Sequence, residues 1–468
     1  MGQIFEAGKI KEKIDRDLRV EENFDINCCE IQIGGRDSWF YFIDGFIKDE
    51  VMQKIMEYFF SLQPEDVEQG STEFMTKNLP YVELDRLYET TEIETAVLSG
   101  TTCLLIDGLE CCFAIDCRTY PARSVDEPEK DKVLRGSRDG FVETIVFNTA
   151  LIRRRIRDTS LRMEMLNVGQ ASKSDVVLCY MEGRTDEKLV CMLRERIQNV
   201  KVDALTMNQE SLAECIYHQN WWNPFPKFKY TERPDSAAAG ILEGKVAILV
   251  DNSPSASMLP ATLFDILEEA DDYYFPPVTG TYLKLSKFLT SFLTLFLTPV
   301  WLLLMQNMRW IPEWLSFIIP TDIIHVPLVL QLLVLEFAID GLRLAAINTP
   351  SMLSTPLSVI AGIVVGEFAV NSGWFNAETM LYMAFVSIAN YTQSSYELGY
   401  AFKFFRIIFT VLTALFQLPG LIAGVLFFLW SLLANRTVMG GSYLAPLFPP
   451  DFKRMGRSLL RQKIRSSE

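Results

Sequence analysis

From Phe288 to Met305 the chain carries no charged residue. At the helical rise such a run is roughly 27 Å long, close to the hydrocarbon thickness of a bilayer. Further apolar runs follow it, several of them containing charges. The expectation is a large soluble front followed by a membrane-embedded back.

Charge is divided in the same place. The chain of 468 residues has a net charge of −15, yet residues 281–468 hold 13 Lys+Arg against 9 Asp+Glu. The acidic excess therefore lies entirely in the front. A surface that acidic is ill suited to a phosphate backbone, so nucleic acid is excluded as an expected partner. The first 18 residues are charged and lack an apolar core, so no signal peptide is expected and the front is expected to stay in the cytosol. All nine cysteines precede residue 216 and form no C-x-x-C pair. In a reducing compartment they are expected as free, small hydrophobes. Cys111, Cys112 and Cys117 are the nearest approach to a metal-ligand cluster, but a second pair is lacking, and no metal or cofactor is expected.

The front has the pattern of two small α+β and α/β subdomains. Residues 1–25 form an arm, helical or disordered. In subdomain 26–120, Ile31–Ile33 and Trp39–Ile43 predict strands joined by Gly34-Gly35. Val51–Leu62 has helical periodicity, and a second hairpin is expected around Asp107-Gly108. Residues 121–132 form a linker rich in Pro and charge. Subdomain 133–284 is expected to contain a helix over Phe141–Leu166, a strand at Val176–Met181, a helix at Leu189–Ile197 and a buried strand at Val246–Val250.

The back, 285–436, predicts an all-α polytopic domain with four to six membrane segments. Spans are placed at about 286–305, 326–347, 352–370 and 379–395, with a long run from Phe404 to Ala434. Lys284 and Lys287 put the front inside, and the basic tail 437–468 is also inside. Both ends on one side require an even number of crossings. Pro419-Gly420 is therefore expected to hinge the last run into a hairpin or re-entrant pair.

Glu336, Asp340 and Arg343 are spaced to share one face of a membrane helix. Each charge near a helix centre costs about 2.5–3.5 kcal/mol to insert, so this stripe must face protein or water. Three readings stand: a structural cluster in which Arg343 neutralises the two acids, an interfacial helix that never spans, or the wall of an ion pathway. Glu367 follows Gly362 and Gly366, a small-xxx-small spacing that permits close helix approach. It is either a cation site or an interfacial acid. Glu397 is a further polar candidate, or a cap or partner for Arg406. Arg153, Arg154 and Arg157 are assembly-interface candidates, with a solvated face as the alternative. Trp221 to Pro226 reads as an aromatic and proline knot that plugs a core or a subunit interface.

Catalysis has little support. Two histidines, His218 and His325, supply no triad or metal centre, and no phosphate-loop or dinucleotide motif is present. The chain is not expected to be an enzyme.

Several ordered motifs resemble a known family. Arg135-Gly136-Ser137-Arg138-Asp139-Gly140, Asn148 to Arg155, Tyr230-Thr231-Glu232-Arg233-Pro234-Asp235 and Val250-Asp251-Asn252-Ser253-Pro254 are similar to the GerA family of spore germination proteins. Ser395-Tyr396-Glu397-Leu398 and Tyr443-Leu444-Ala445-Pro446-Leu447 resemble its late motifs. Leu342 to Pro350 looks closer to a sporulation-stage branch than to the A subunits of nutrient receptors. Gln393 stands where the family usually has Pro, and Glu367 where many members have Gln. The resemblance implies a spore inner-membrane protein, a homo-oligomer working in the lipid bilayer with other germination membrane proteins. It also implies an ion channel component involved in release of ions and dipicolinate. The preponderance of acids among the intramembrane charges favours cations. A nutrient-receptor A subunit and a non-conducting scaffold are the alternatives.

Overall fold

The computed structural model describes residues 7–47, 49–68, 84–117, 133–218, 221–349 and 362–461. Two compact units result, one of residues 1–219 with 228–260, the other of 220–227 with 261–468. A short inner segment, 220–227, thus joins the second unit, which otherwise begins at residue 261.

The first unit contains two five-stranded, wholly antiparallel sheets. Strands β1 (Ile26–Ile33) and β2 (Arg36–Ile43) form the expected hairpin. Gly34 and Gly35 have φ of 53° and 75°, the left-handed pair that a two-residue turn matching strand twist demands. With β3 (Leu84–Leu87), β4 (Thr102–Ile106) and β5 (Cys112–Ile115) the order is β1-β2-β4-β5-β3. Helices α1 (Ala7–Leu18) and α3 (Thr90–Leu98) pack on one face through Ile14, Leu18, Ile93 and Val97. Helix α2 (Asp49–Ser61) covers the other through Ile55 and Phe59.

The second sheet has the order β6-β7-β9-β10-β8, from Leu161–Val168, Ser174–Met181, Val246–Val250, Ala256–Leu259 and Lys229–Thr231 respectively. Here one expectation is corrected. The helix over Phe141–Leu166 is only α4, Ile145–Arg155, and Leu161 onward is strand. Leu161, Met163 and Met165 alternate with Arg162 and Glu164, a two-residue period, and Asp158 caps the intervening turn by accepting from Ser160 N–H at 2.8 Å. Helices α5 (Glu187–Gln198), α6 (Asn208–Ile216) and α7 (Pro234–Leu242) complete this half.

Helix α4 is buried through most of its length because it touches both cores, with Ala150 in that of the first sheet and Leu151 and Ile152 in that of the second. Its Arg153 is fully buried. The guanidinium donates to both carboxylate oxygens of Asp25, at 2.9 and 3.1 Å, and to Leu161 O at 3.4 Å. The cysteines of this unit are free thiols. Burial pushes the Cys28 thiol up to about 11 and those of Cys112, Cys117 and Cys179 upward, keeping them protonated.

The second unit is helical: α8 (Pro277–Gln306), α9 (Leu328–Asn348), a π-helical stretch Gly362–Phe368, α10 (Ala377–Tyr391), α11 (Tyr396–Ala434) and α12 (Phe452–Leu459). Two of these, α8 and α11, are long and apolar enough to cross a membrane. α11 is not one straight rod. Gln417 breaks it with φ 55° and ψ −134°. Phe405 lies 5.0 Å ring to ring from Phe428, and Phe409 6.1 Å from the same ring. Residues 23 positions apart in a straight helix would be about 34 Å apart. The two arms therefore run back along one another. A Cβ on Gly420 would meet the Leu412 carbonyl, and one on Gly424 would come within 2.8 Å of the Phe409 ring, so glycine lets the arms touch.

The 220–227 segment plugs the core of this helical unit. Trp222 stacks on Trp430 at 5.6 Å, and Phe225 sits among Phe405, Phe428 and Tyr443. Lys227 is buried and donates to Asn435 Oδ1 and to Arg436 O. Burial lowers its pKa to about 8.

Candidate functional site

The polar centre of the helical unit is built on α9. Gln331, Leu332, Leu335 and Glu336 follow the three-to-four spacing of one face, and all are buried. Gln331 anchors the start of this face with a reciprocal amide pair. It donates to Asn376 Oδ1 at 2.8 Å and accepts from Asn376 N–H at 2.9 Å.

One turn further, Glu336 is 6% exposed. Arg406 of α11 grips it with two bonds, Nε to Oε1 at 2.6 Å and Nη2 to Oε2 at 2.8 Å. The remaining Arg406 nitrogen, Nη1, donates to Thr294 O of α8 at 3.0 Å. Lys403 lies one turn before Arg406. Its Nζ donates to Glu336 O at 3.1 Å, stands 3.5 Å from Glu336 Oε2 and pairs with Asp340. Two acids and two bases thus cancel, and Arg406 ties three helices together. Buried charges persist only when paired and hydrogen-bonded, and these are.

The intrahelical neutralisation by Arg343 is corrected by this arrangement. Arg343 points instead at three tyrosine rings, and Lys403 and Arg406 hold the acids. These two bases form the centre of the cluster. Their i, i+3 spacing against the i, i+4 spacing of the acids was the available signal; which helix faced which was not. Glu397 is exposed in the first turn of α11 and is not the Arg406 partner, because Glu336 occupies that guanidinium.

Gln393 is buried between α10 and α11. It accepts from Ser291 Oγ at 3.1 Å and donates to Ala389 O at 3.3 Å. The chain bends here without a proline, and Ser395 caps α11 by accepting from Leu398 N–H.

Glu367 is exposed in the π-helical stretch. A Cβ built on Gly341, Gly362 or Gly366 would meet nothing within 4 Å. Beyond Glu336, α9 also loses cover, with Gly341, Leu344, Ala346, Ile347 and Asn348 exposed. Residues 350–361, over which part of the expected third span falls, lie outside the described residues. Pro419 and Gly420 stand just past the Gln417 break.

The arginine run in the first unit is also partly corrected. Arg153 is interior and paired with Asp25, so it is not available to a partner. Arg154 is exposed, and Arg157 lies beyond the end of α4, exposed, donating to Arg154 O at 3.4 Å. Arg153 and Arg157 therefore share no helical face. Arg155, between them, pairs with Asp139 at 2.5 Å.

Residues 12–468 match the Bacillus/Clostridium GerA spore germination protein family, and the chain belongs to it. Among curated proteins it is 35% identical to stage V sporulation protein AF of Bacillus subtilis (strain 168), over 94% of this chain and 89% of that protein. It is 29% identical to spore germination protein GerLA of Bacillus cereus, over 89% and 86%. Spore germination protein A1 of B. subtilis (strain 168) is 28% identical over 82% and 80%. A solved structure, the N-terminal domain of the A subunit of the Bacillus megaterium spore germinant receptor GerK3, aligns with 22% identity and a TM-score of 0.42. It covers 56% of this chain and 98% of that one.

Proposed function

We propose that the chain is a non-enzymatic, oligomeric membrane channel component that conducts monovalent cations during spore germination. The observation that carries this reading is the exposed carboxylate of Glu367 beside uncovered glycines in the helical unit. Glu367 is exposed on an apolar stretch whose glycines have open space in front of them. Copies meeting through Gly341, Gly362 and Gly366 would bring several Glu367 carboxylates around one axis, and rings of acids select cations. Glu336 no longer belongs to that pathway, because Arg406 and Lys403 neutralise it.

The proposed setting is the spore inner membrane, with the first unit and the basic tail cytosolic. The reversal at Gln417 supports this topology, since a hairpin returns the chain to the side from which it entered. The family resemblance of the motifs implies a role in release of ions and dipicolinate, and likeness to stage V sporulation protein AF fits the sporulation-stage branch rather than the nutrient-receptor A subunits. Other germination membrane proteins are the expected partners.

The test is ion flux from liposomes containing the purified full-length chain. Wild type should conduct, and Glu367→Gln should reduce cation flux while leaving oligomers intact. A second reading, a non-conducting scaffold, is favoured by the fully cancelled Glu336 cluster. Intact oligomers with no flux from either protein would select it.

A further inference from the structure

We propose that Arg343 and the tyrosines around it form a binding site for a phosphate oxyanion. The Arg343 Cζ lies 4.7 Å from the centroid of Tyr396, 5.1 Å from Tyr400 and 5.5 Å from Tyr391. Three elements converge to make this cage: the second half of α9, the last residue of α10 and the first two turns of α11.

The charge count points to an anion. Glu336 and Asp340 are balanced by Lys403 and Arg406. Arg343 is the surplus cation, and among the described residues no carboxylate forms an ion pair with it. Ring faces attract a guanidinium but do not neutralise it, and no hydrogen bond from its N–H fork is made to the described residues. That fork matches two phosphate oxygens in one plane.

The surroundings are accessible. Tyr391, Tyr396 and Tyr400 are 50%, 51% and 44% exposed, so the cage is open to a ligand. Tyr396 is also the first residue of the first arm of α11, whose N-terminal end carries partial positive charge. A guanidinium beside that end is unfavourable until an anion lies between them. Glu397, in the first turn, is the opposing charge. It is one carboxylate against an arginine and a helix end. Tyrosines flanking an arginine are also what a snorkelling side chain at a membrane surface would show, so the discriminating property is anion binding itself.

Two sources have this chemistry, an anionic lipid head group and dissolved phosphate. The lipid source rests on the proposed membrane setting of the helices. Full-length protein would be reconstituted in phosphatidylcholine vesicles with and without phosphatidylglycerol, and lipid retained after detergent extraction measured by native mass spectrometry. Wild type should retain phosphatidylglycerol, and Arg343→Gln should bind it about tenfold more weakly, the effect of losing a charge-assisted bond pair. Tyr400→Phe keeps the ring that seats Arg343 and removes one hydroxyl. It should weaken anion retention with no change in melting temperature, which a purely structural cage would not do. In a second arm, inorganic phosphate is titrated in detergent and the melting temperature followed. A rise in wild type that is absent in Arg343→Gln supports the site independently of any bilayer. Retention and phosphate response equal in wild type and Arg343→Gln overturn the proposal. Vesicle flotation checks the membrane setting separately: protein that fails to float overturns that reading, while the phosphate arm still decides the site.

Discussion

Glu336→Gln removes one charge from the centre of the helical unit and keeps its shape. Two cations, Lys403 and Arg406, then face the single acid Asp340. At an effective dielectric of about 20 a pair of unit charges 4 Å apart interacts by about 4 kcal/mol. Removing one member of a buried pair typically costs about 3–5 kcal/mol, because the other is left buried and unneutralised. The glutamine oxygen still accepts one Arg406 bond, so a loss of about 3 kcal/mol is expected for this substitution. Arg406→Gln should cost less. Lys403 already stands 3.5 Å from Glu336 Oε2 and can take over part of the neutralisation. The assay is denaturant unfolding of the purified full-length chain in detergent, followed by circular dichroism, for both single variants and the double. If the pair is the lock described, the double variant should be no worse than Glu336→Gln alone, with a coupling of about 2 kcal/mol or more. Single losses below about 1 kcal/mol that simply add would refute the buried-pair account.

Cysteines replacing Phe405 and Phe428 should cross-link within one chain, as shown by a mobility shift under non-reducing electrophoresis; a continuous helix would never bring them together. Gly424→Leu should lower the melting temperature, the added side chain meeting the Phe409 ring where even a Cβ would come within 2.8 Å. In the first unit, Asp25→Asn should cost about 3 kcal/mol by stranding Arg153, and hydrogen exchange should then speed in α4 and β1. The depressed pKa of Lys227 fixes the sign of a pH effect. Below about 8 it is charged in both folded and unfolded states; between about 8 and its ordinary 10.5 only the unfolded chain holds the proton. Folding stability relative to Lys227→Met should therefore rise as pH climbs through that window, read from melting temperatures across it.

Much of the local structure was legible because it depends on short-range rules. Gly34-Gly35 specifies a hairpin by backbone freedom alone. Val246–Val250 reads as a buried strand because every residue is apolar. Leu161–Val168 carried its two-residue period in plain view, but the helix before it obscured where the period changed. Helix α4 similarly reads as a generic helix, and only the two cores it touches explain why Ala150, Leu151 and Ile152 are all buried.

The candidate site shows the same division more sharply. The sequence by itself determined that Glu336, Asp340 and Arg343 share a helical face, since that follows from 3.6 residues per turn. It also determined that such a face must be covered, since charge in an apolar medium is costly. What covers it was a tertiary decision. Arg406 and Lys403 reach Glu336 from 70 and 67 residues away, and no periodicity encodes that pairing. The same holds for Asp25 with Arg153, 128 residues apart, which turned an expected surface arginine into an interior one. Spacing along one chain sets which side chains are neighbours on a helix. Which opposite charge neutralises them depends on how separate helices pack, and that is settled only when desolvation and pairing are satisfied together.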